Sequence, residues 1–129
     1  MRILDSDHCI ALLRGRPDLR ERTAADEILA VTAIGVGDLA HGAHRSSRAE
    51  ENLARLAVLL AAVLILPYEE RAASRFGRIK AELERSGQSL DDLDLQIASI
   101  ALEHNAPLLT HNKRHFRRVP GLQVEDWLL

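Results

Sequence analysis

With one cysteine, Cys9, the chain has no partner for an internal disulfide, and no positively charged leader stands before a signal-type apolar segment. Both absences point to a reducing, cytoplasmic setting. Aromatic residues make up only 3%, so Leu, Ala, Ile and Val must fill the core. Long apolar runs are missing too. The longest, AVLLAAVLIL at 57–66, falls well short of the roughly 20 residues that span a bilayer and reads as core. Nor is there an excess of one charge: 17 Lys and Arg against 19 Asp and Glu give a formal charge of −2. That balance gives no global electrostatic argument for binding nucleic acid, so any such binding must rest on a local patch. The stretch HNKRHFRR, 111–118, is one, read by itself as a charged loop. No repeat, low-complexity tract or Gly/Ser/Pro-rich linker divides the chain.

What is present suits one domain over residues 1–129, long enough to bury roughly two-thirds of the surface of its unfolded form. Residues 2–5 make a short apolar strand, and LAVTAI at 29–34 another, followed by a helix from about Val36 to His44. A helix-favouring stretch from Arg48 runs into VLILP, a strand stopped by Pro67. Ala72, Phe76, Ile79 and Leu83, spaced by four, three and four with Gly87 beyond, mark an amphipathic helix and its stop. A helix carrying Leu93, Ile97, Ile100 and Ala101 ends near Asn105, APLLTHN resumes as a strand, and QVEDW makes a last short one. Alternation of this kind predicts an α/β fold with a central, mostly parallel sheet of four to five strands flanked by helices.

In such sheets the ligand site lies beyond the C-terminal strand ends. Asp5 and Asp7 follow the first strand, Asp38 is placed in the first helical turn after the second, Asp94 is near the start of the late helix, and Thr110 and Asn112 close the LLTHN strand. Taken singly, each acid has a plainer role as a turn residue or helix cap. Asp94 stands apart, because its register places it beside the buried helix face, where a carboxylate needs a cation. Converging carboxylates repel, and a hard divalent cation, Mg²⁺ or Mn²⁺, relieves them. Zn²⁺ fits less well, since there is no CxxC or HExxH pattern. Acid clusters holding Mg²⁺ commonly serve phosphoryl chemistry.

These residues resemble the PIN-domain ribonucleases, and among them the VapC-type toxins of toxin–antitoxin pairs. ILDSDH is similar to that family's opening LDTN or LDTDH, VTAIGVGDLAHGA to its T-x-E-L-x-x-G helix, and the segment from Asp91 to Trp127 to its closing part, where an Asp precedes IA and a T-x-N/D strand follows. The resemblance implies an endoribonuclease that uses Mg²⁺ or Mn²⁺ and water to cut RNA, leaving a 5′-phosphate and a 3′-hydroxyl. It implies Asp5 and Asp94 as metal ligands, with Asp38 completing the acidic pocket as a third catalytic acid in place of the usual Glu. Supporting roles fall to Ser6, whose hydroxyl would orient water or Asp5, and to Asp7, His8, Thr110, Asn112 and His115. Asp92 is either an outer contact to the metal or a helix cap. Lys113, Arg114 and Arg117 would grip the RNA backbone without reading sequence. The family also implies a homodimer and a small antitoxin whose tail blocks the site.

Two other readings compete. DSD after an apolar run also evokes phosphatases with an aspartyl nucleophile, but His8 and Cys9 stand where those carry Gly-Thr, and Lys80 and Lys113 are the only lysines. Asp38, Asn112 and His115 motivate a degenerate PIN domain that binds RNA or a partner without cutting.

Overall fold

The computed structural model describes residues 1–128 and, within them, every side chain but those of Pro17 and Arg20. The order is β1 (Arg2–Leu4), α1 (Ser6–Leu13), α2 (Pro17–Glu21), β2 (Leu29–Thr32), α3 (Ala33–Arg45), α4 (Ala49–Ala62), β3 (Leu64–Leu66), α5 (Glu70–Arg85), α6 (Asp92–Glu103), β4 (Leu108–Leu109), α7 (Lys113–Phe116) and β5 (Val124–Glu125). The strands form one sheet in the order β3-β2-β1-β4-β5, with every pairing parallel. The expected α/β architecture is present, and all five strands are parallel.

Alternation along each strand feeds two cores, because successive side chains leave opposite faces of a sheet. Ile3, Ala30 and Leu108 join Ile79, Leu83, Ile100 and Phe116 on the face covered by α5, α6 and α7. Leu4, Val31 and Leu109 join Cys9, Leu39, Leu56 and Trp127 on the other. The 72–76–79–83 spacing is realised in α5, where Ala72, Ile79 and Leu83 are buried. Its stop is a Schellman turn: the Gly87 amide donates to the Glu84 carbonyl, the Gln88 amide to that of Leu83, and Gly87 has φ +69°. Asn105, at φ +51°, ends α6 in the same way, with Ala106 donating to Ala101.

The apolar run 57–66 is core only in part, where its reading from sequence makes it core throughout: Leu66 is buried and Leu59, Leu60 and Val63 pack against the core, but the rest faces outward. Val58 is 74% exposed, and Leu64 and Ile65 are 48% and 44% exposed. The reason is the strand order: β3 lies at the sheet edge, so within the run only Leu66 is fully buried, with Leu56 buried one residue before the run starts. The stretch 111–118 also departs from the expected loop, since Lys113–Phe116 form the helical turn α7, pinned by the fully buried Phe116.

Thr32 links sheet to site. Buried to 1% exposure, it caps α3, its hydroxyl oxygen accepting from the Gly35 amide at 2.9 Å. Thr32→Ala should cost about 1–2 kcal/mol, the usual worth of such a cap. Urea denaturation checks this, and a loss below a few tenths would refute the assignment.

Candidate active site

Strand order creates the site. Chain direction reverses its march across the sheet between β1 and β4, and ligands in open α/β sheets bind where that switch occurs. Asp5 leaves β1 there as the N-cap of α1, and Thr110 leaves β4 beside it. The helix α3 starts at the same edge because it follows β2. The helix α6 runs back into β4, so its first turn, with Asp94, also lies at that edge.

Asp5 is 9% exposed and held on both oxygens. Oδ1 accepts from the Ser6 amide at 2.9 Å, and Oδ2 from the Thr110 hydroxyl at 2.8 Å, across 105 residues of sequence. Burial pushes the Asp5 carboxyl above its ordinary range; Thr110 and Ser6 oppose that, and the charges of Asp7 and Asp38 add to it. Asp94, half-buried, is pushed up to about 6, first by burial and then by the charges of Asp5, Asp91, Asp38 and Asp7. Asp7 goes the other way. Burial works against its charge, yet hydrogen bonds from His8 and the His111 amide hold it below the usual carboxylate range.

The other sequence-derived residues divide. Asp38 borders the site, its charge raising both Asp5 and Asp94, but it is exposed and sits in the second turn of α3, because the helix begins at Ala33. Ser6 contributes its amide to Asp5, where its hydroxyl had been expected to act. Asn112 turns its side-chain nitrogen to His115 Nδ1 at 2.9 Å, so these two form a pair with each other. Asp92 is neither cap nor part of the acidic pocket: it is an exposed residue paired with Lys80 Nζ at 2.9 Å, and the N-cap position belongs to Asp91, which makes no side-chain cap bond. Lys113, Arg114 and Arg117 lie on or just after α7, with Arg114 and Arg117 exposed, while Arg118 is tied to the Ser89 carbonyl.

Sequence reasoning missed Asp91 as a charge acting on Asp94, and Asp126, whose side chain is 3% exposed and accepts from His111 Nδ1 at 2.8 Å. It also missed the cleft of about 360 Å³ beside Asp38 and Ser6, which Arg14, Asn52 and Arg55 line above apolar Leu13 and Leu39. Cys9 is no nucleophile, since burial and then the charges of Asp5 and Asp7 push its thiol up to about 12.

Among the described residues, no three His, Cys, Asp or Glu side chains are grouped to hold a metal ion. The expected triad is therefore an electrostatic cluster and not a closed cage. Its chemistry still fits Mg²⁺ or Mn²⁺: the donors are all carboxylates, two of them are raised first by burial and then by neighbouring carboxylate charges, and Mg²⁺ is commonly bound by one or two carboxylates with water and substrate phosphate completing the shell.

The PIN domain model matches residues 2–122. Similar curated proteins include Ribonuclease VapC2 of Rickettsia felis, 30% identical over 129 residues, covering 97% of this chain and 96% of that protein. The tRNA(fMet)-specific endonuclease VapC of Salmonella typhimurium is 33% identical over 127 residues, again covering 97% and 96%. Among solved structures, VapBC2 from Rickettsia felis bound to a promoter DNA fragment superposes with a TM-score of 0.89 at 29% identity, covering 98% of both chains. DNA-bound VapBC from Salmonella typhimurium superposes with a TM-score of 0.91 at 33% identity, covering 98% of this chain and 97% of that one.

Proposed function

This chain belongs to the PIN-domain family and to its VapC group, and from that premise we propose that it is a Mg²⁺- or Mn²⁺-dependent endoribonuclease acting as the toxin of a toxin–antitoxin pair. One observation carries the reading: a buried Asp5, hydrogen-bonded on both oxygens at the sheet's switch point, stands close enough to Asp94 that, after burial, its charge is the main cause lifting the Asp94 carboxyl to about 6. Asp5 and Asp94 hold the cation, and Thr110 and the Ser6 amide fix the Asp5 carboxylate so that it need not reorganise. A divalent ion bound there supplies the charge that activates water and stabilises the negative charge developing on phosphate. Asp38, exposed at the rim, adds to the field and helps take the proton from water. The helix α7 presents Lys113, Arg114 and Arg117 to the RNA backbone, a contact without sequence information.

An antitoxin and a second copy of the chain are the protein partners of this reading. The exposed apolar side chains Val58 of α4 and Leu64 and Ile65 of the edge strand β3 support a protein partner, because covering apolar surface otherwise left in water is favourable. No helix among the described residues is long and apolar enough to cross a membrane, and a cytoplasmic site of action is part of the proposal.

The test is cleavage of a long mixed-sequence RNA by protein freed of any co-purified partner, with Mn²⁺, Mg²⁺ or EDTA. Metal-dependent fragments are expected, with Asp5→Asn at least about 100-fold slower, since loss of even an outer partner of a metal ligand typically costs 10–100-fold. RNA left intact with either metal at micromolar protein would overturn the nuclease and leave a binding module.

A further inference from the structure

Resting on the reading of Asp5 as a metal ligand, we propose that His8 is a positioning residue: it ties Asp7 to the segment after β5 and thereby leaves the Thr110 hydroxyl hydrogen for Asp5. His8 is fully buried. Its Nε2 lies 3.1 Å from the Trp127 amide, which can only donate, so Nε2 accepts. In a neutral imidazole the hydrogen then sits on Nδ1, which donates to Asp7 Oδ1 at 2.7 Å. The other Asp7 oxygen accepts from the His111 amide at 2.9 Å. Both Asp7 oxygens are thus supplied without Thr110.

That matters because the Thr110 oxygen stands 2.8 Å from Asp5 Oδ2 and 3.3 Å from Asp7 Oδ2, with one hydrogen to give. Its lone pair is used by the Asn112 amide at 3.0 Å, which fixes the rotamer. Asp5 is the shorter contact and wins the hydrogen while Asp7 is satisfied by His8. Without the His8 donor, Asp7 competes for it, and Asp5 loses the contact that orients its carboxylate.

The far end of this chain is anchored as well. Asp126 Oδ2 accepts from His111 Nδ1 at 2.8 Å and Oδ1 from the Leu128 amide at 2.9 Å. The Trp127 indole lies under the guanidinium groups of Arg2 and Arg22, at 5.3 and 4.9 Å. Asp7, His8, Trp127, Asp126 and His111 therefore close a ring of hydrogen bonds and chain neighbours across 119 residues of sequence. The ring ends on the acid beside Asp5.

Two substitutions separate the two nitrogens. Asparagine places an amide near Nδ1 and keeps a donor for Asp7; glutamine reaches to Nε2 and keeps an acceptor for Trp127 while leaving Asp7 without its donor. By calorimetry His8→Gln should weaken Mn²⁺ binding by about tenfold, in the range known for outer partners of metal ligands, whereas His8→Asn should stay within about threefold. In RNA cleavage kcat should follow the same order with KM little changed, although both variants lose thermal stability. Equal Mn²⁺ affinities in the two variants would overturn the proposal even if RNA is cut. The predicted order of affinities without RNA cleavage by the unaltered protein would keep the proposal and remove the nuclease reading; no Mn²⁺ binding by the unaltered protein would remove both. A nitrogen-15 spectrum of the unaltered protein adds a test that needs no variant: His8 must carry its hydrogen on Nδ1, and a hydrogen on Nε2 overturns the proposal.

Discussion

Replacing Asp94 with asparagine should make the metal-free protein more stable while removing its metal-dependent RNA cleavage. The charge that the proposed chemistry needs is the one the fold resists. Its carboxyl is raised to about 6 by burial and by Asp5, Asp91, Asp38 and Asp7, against an unfolded value of about 3.9. Between those two values the folded protein keeps a proton that the unfolded chain has released, so stability falls as pH rises through that window and stays low above it. The full shift would be worth about 3 kcal/mol, but Asp94 is half exposed and solvent screening reduces that to about 1 kcal/mol. Asp94→Asn removes the penalty at pH 7.5, which should raise Tm by about 3 °C for a chain of this size. Asp7, whose carboxyl is held low, acts in the opposite sense toward lower pH, and the raised Asp5 carboxyl acts in the same sense as Asp94; both are common to the unaltered and Asp94→Asn proteins, so the difference between the two isolates Asp94. The measurement is Tm at pH 5 and pH 7.5 in EDTA for both proteins. The unaltered protein should lose stability on going to pH 7.5 relative to Asp94→Asn; parallel behaviour would mean that Asp94 is not under strain from its neighbours. Adding Mn²⁺ should reverse the order, because the cation stabilises only the protein that retains both ligands.

Much of this is legible in the amino-acid sequence. Each helix with a regular apolar spacing and a glycine or asparagine stop, such as α5 and α6, announces itself because both signals are local. So does the position of Asp5, since a carboxylate directly after a buried strand of a parallel sheet falls at the ligand edge. Three things are not legible. The exposure of Val58, Leu64 and Ile65 follows from β3 lying at the edge, and strand order is set by long-range pairing that no local window contains. The partners of Asp5 and His8 lie 105 and 119 residues away, and a hydroxyl or backbone amide leaves no pattern at that distance. Asp92 looked like its neighbours Asp91 and Asp94, yet a helix turns about 100° per residue, which sends Asp92 toward Lys80 and Asp94 toward Asp5.

The basic helix α7 illustrates the same limit and yields the largest expected loss of stability. Four residues make barely one turn, too short to hold themselves in water, so the helix exists because Phe116 is driven into the core. That ring is fully buried, in the cluster of Ile100, Leu108 and Val119 where α6, β4 and the approach to β5 meet. Phe116→Ala removes the anchor and leaves a cavity in a sheet–helix junction with little freedom to collapse. The cost should be about 3–5 kcal/mol, a large share of the 5–15 kcal/mol typical of a domain. The same change frees Lys113, Arg114 and Arg117 from their common orientation, so RNA binding should weaken at temperatures where the protein is still folded. Arg117→Ala separates the two effects. Its exposed side chain carries no packing, so Tm should hold within about 1 °C while the salt dependence of RNA binding falls by about one counterion. If Phe116→Ala loses less than about 1 kcal/mol in urea, α7 does not depend on its core anchor. If Arg117→Ala leaves the salt slope unchanged, the helix does not face the RNA.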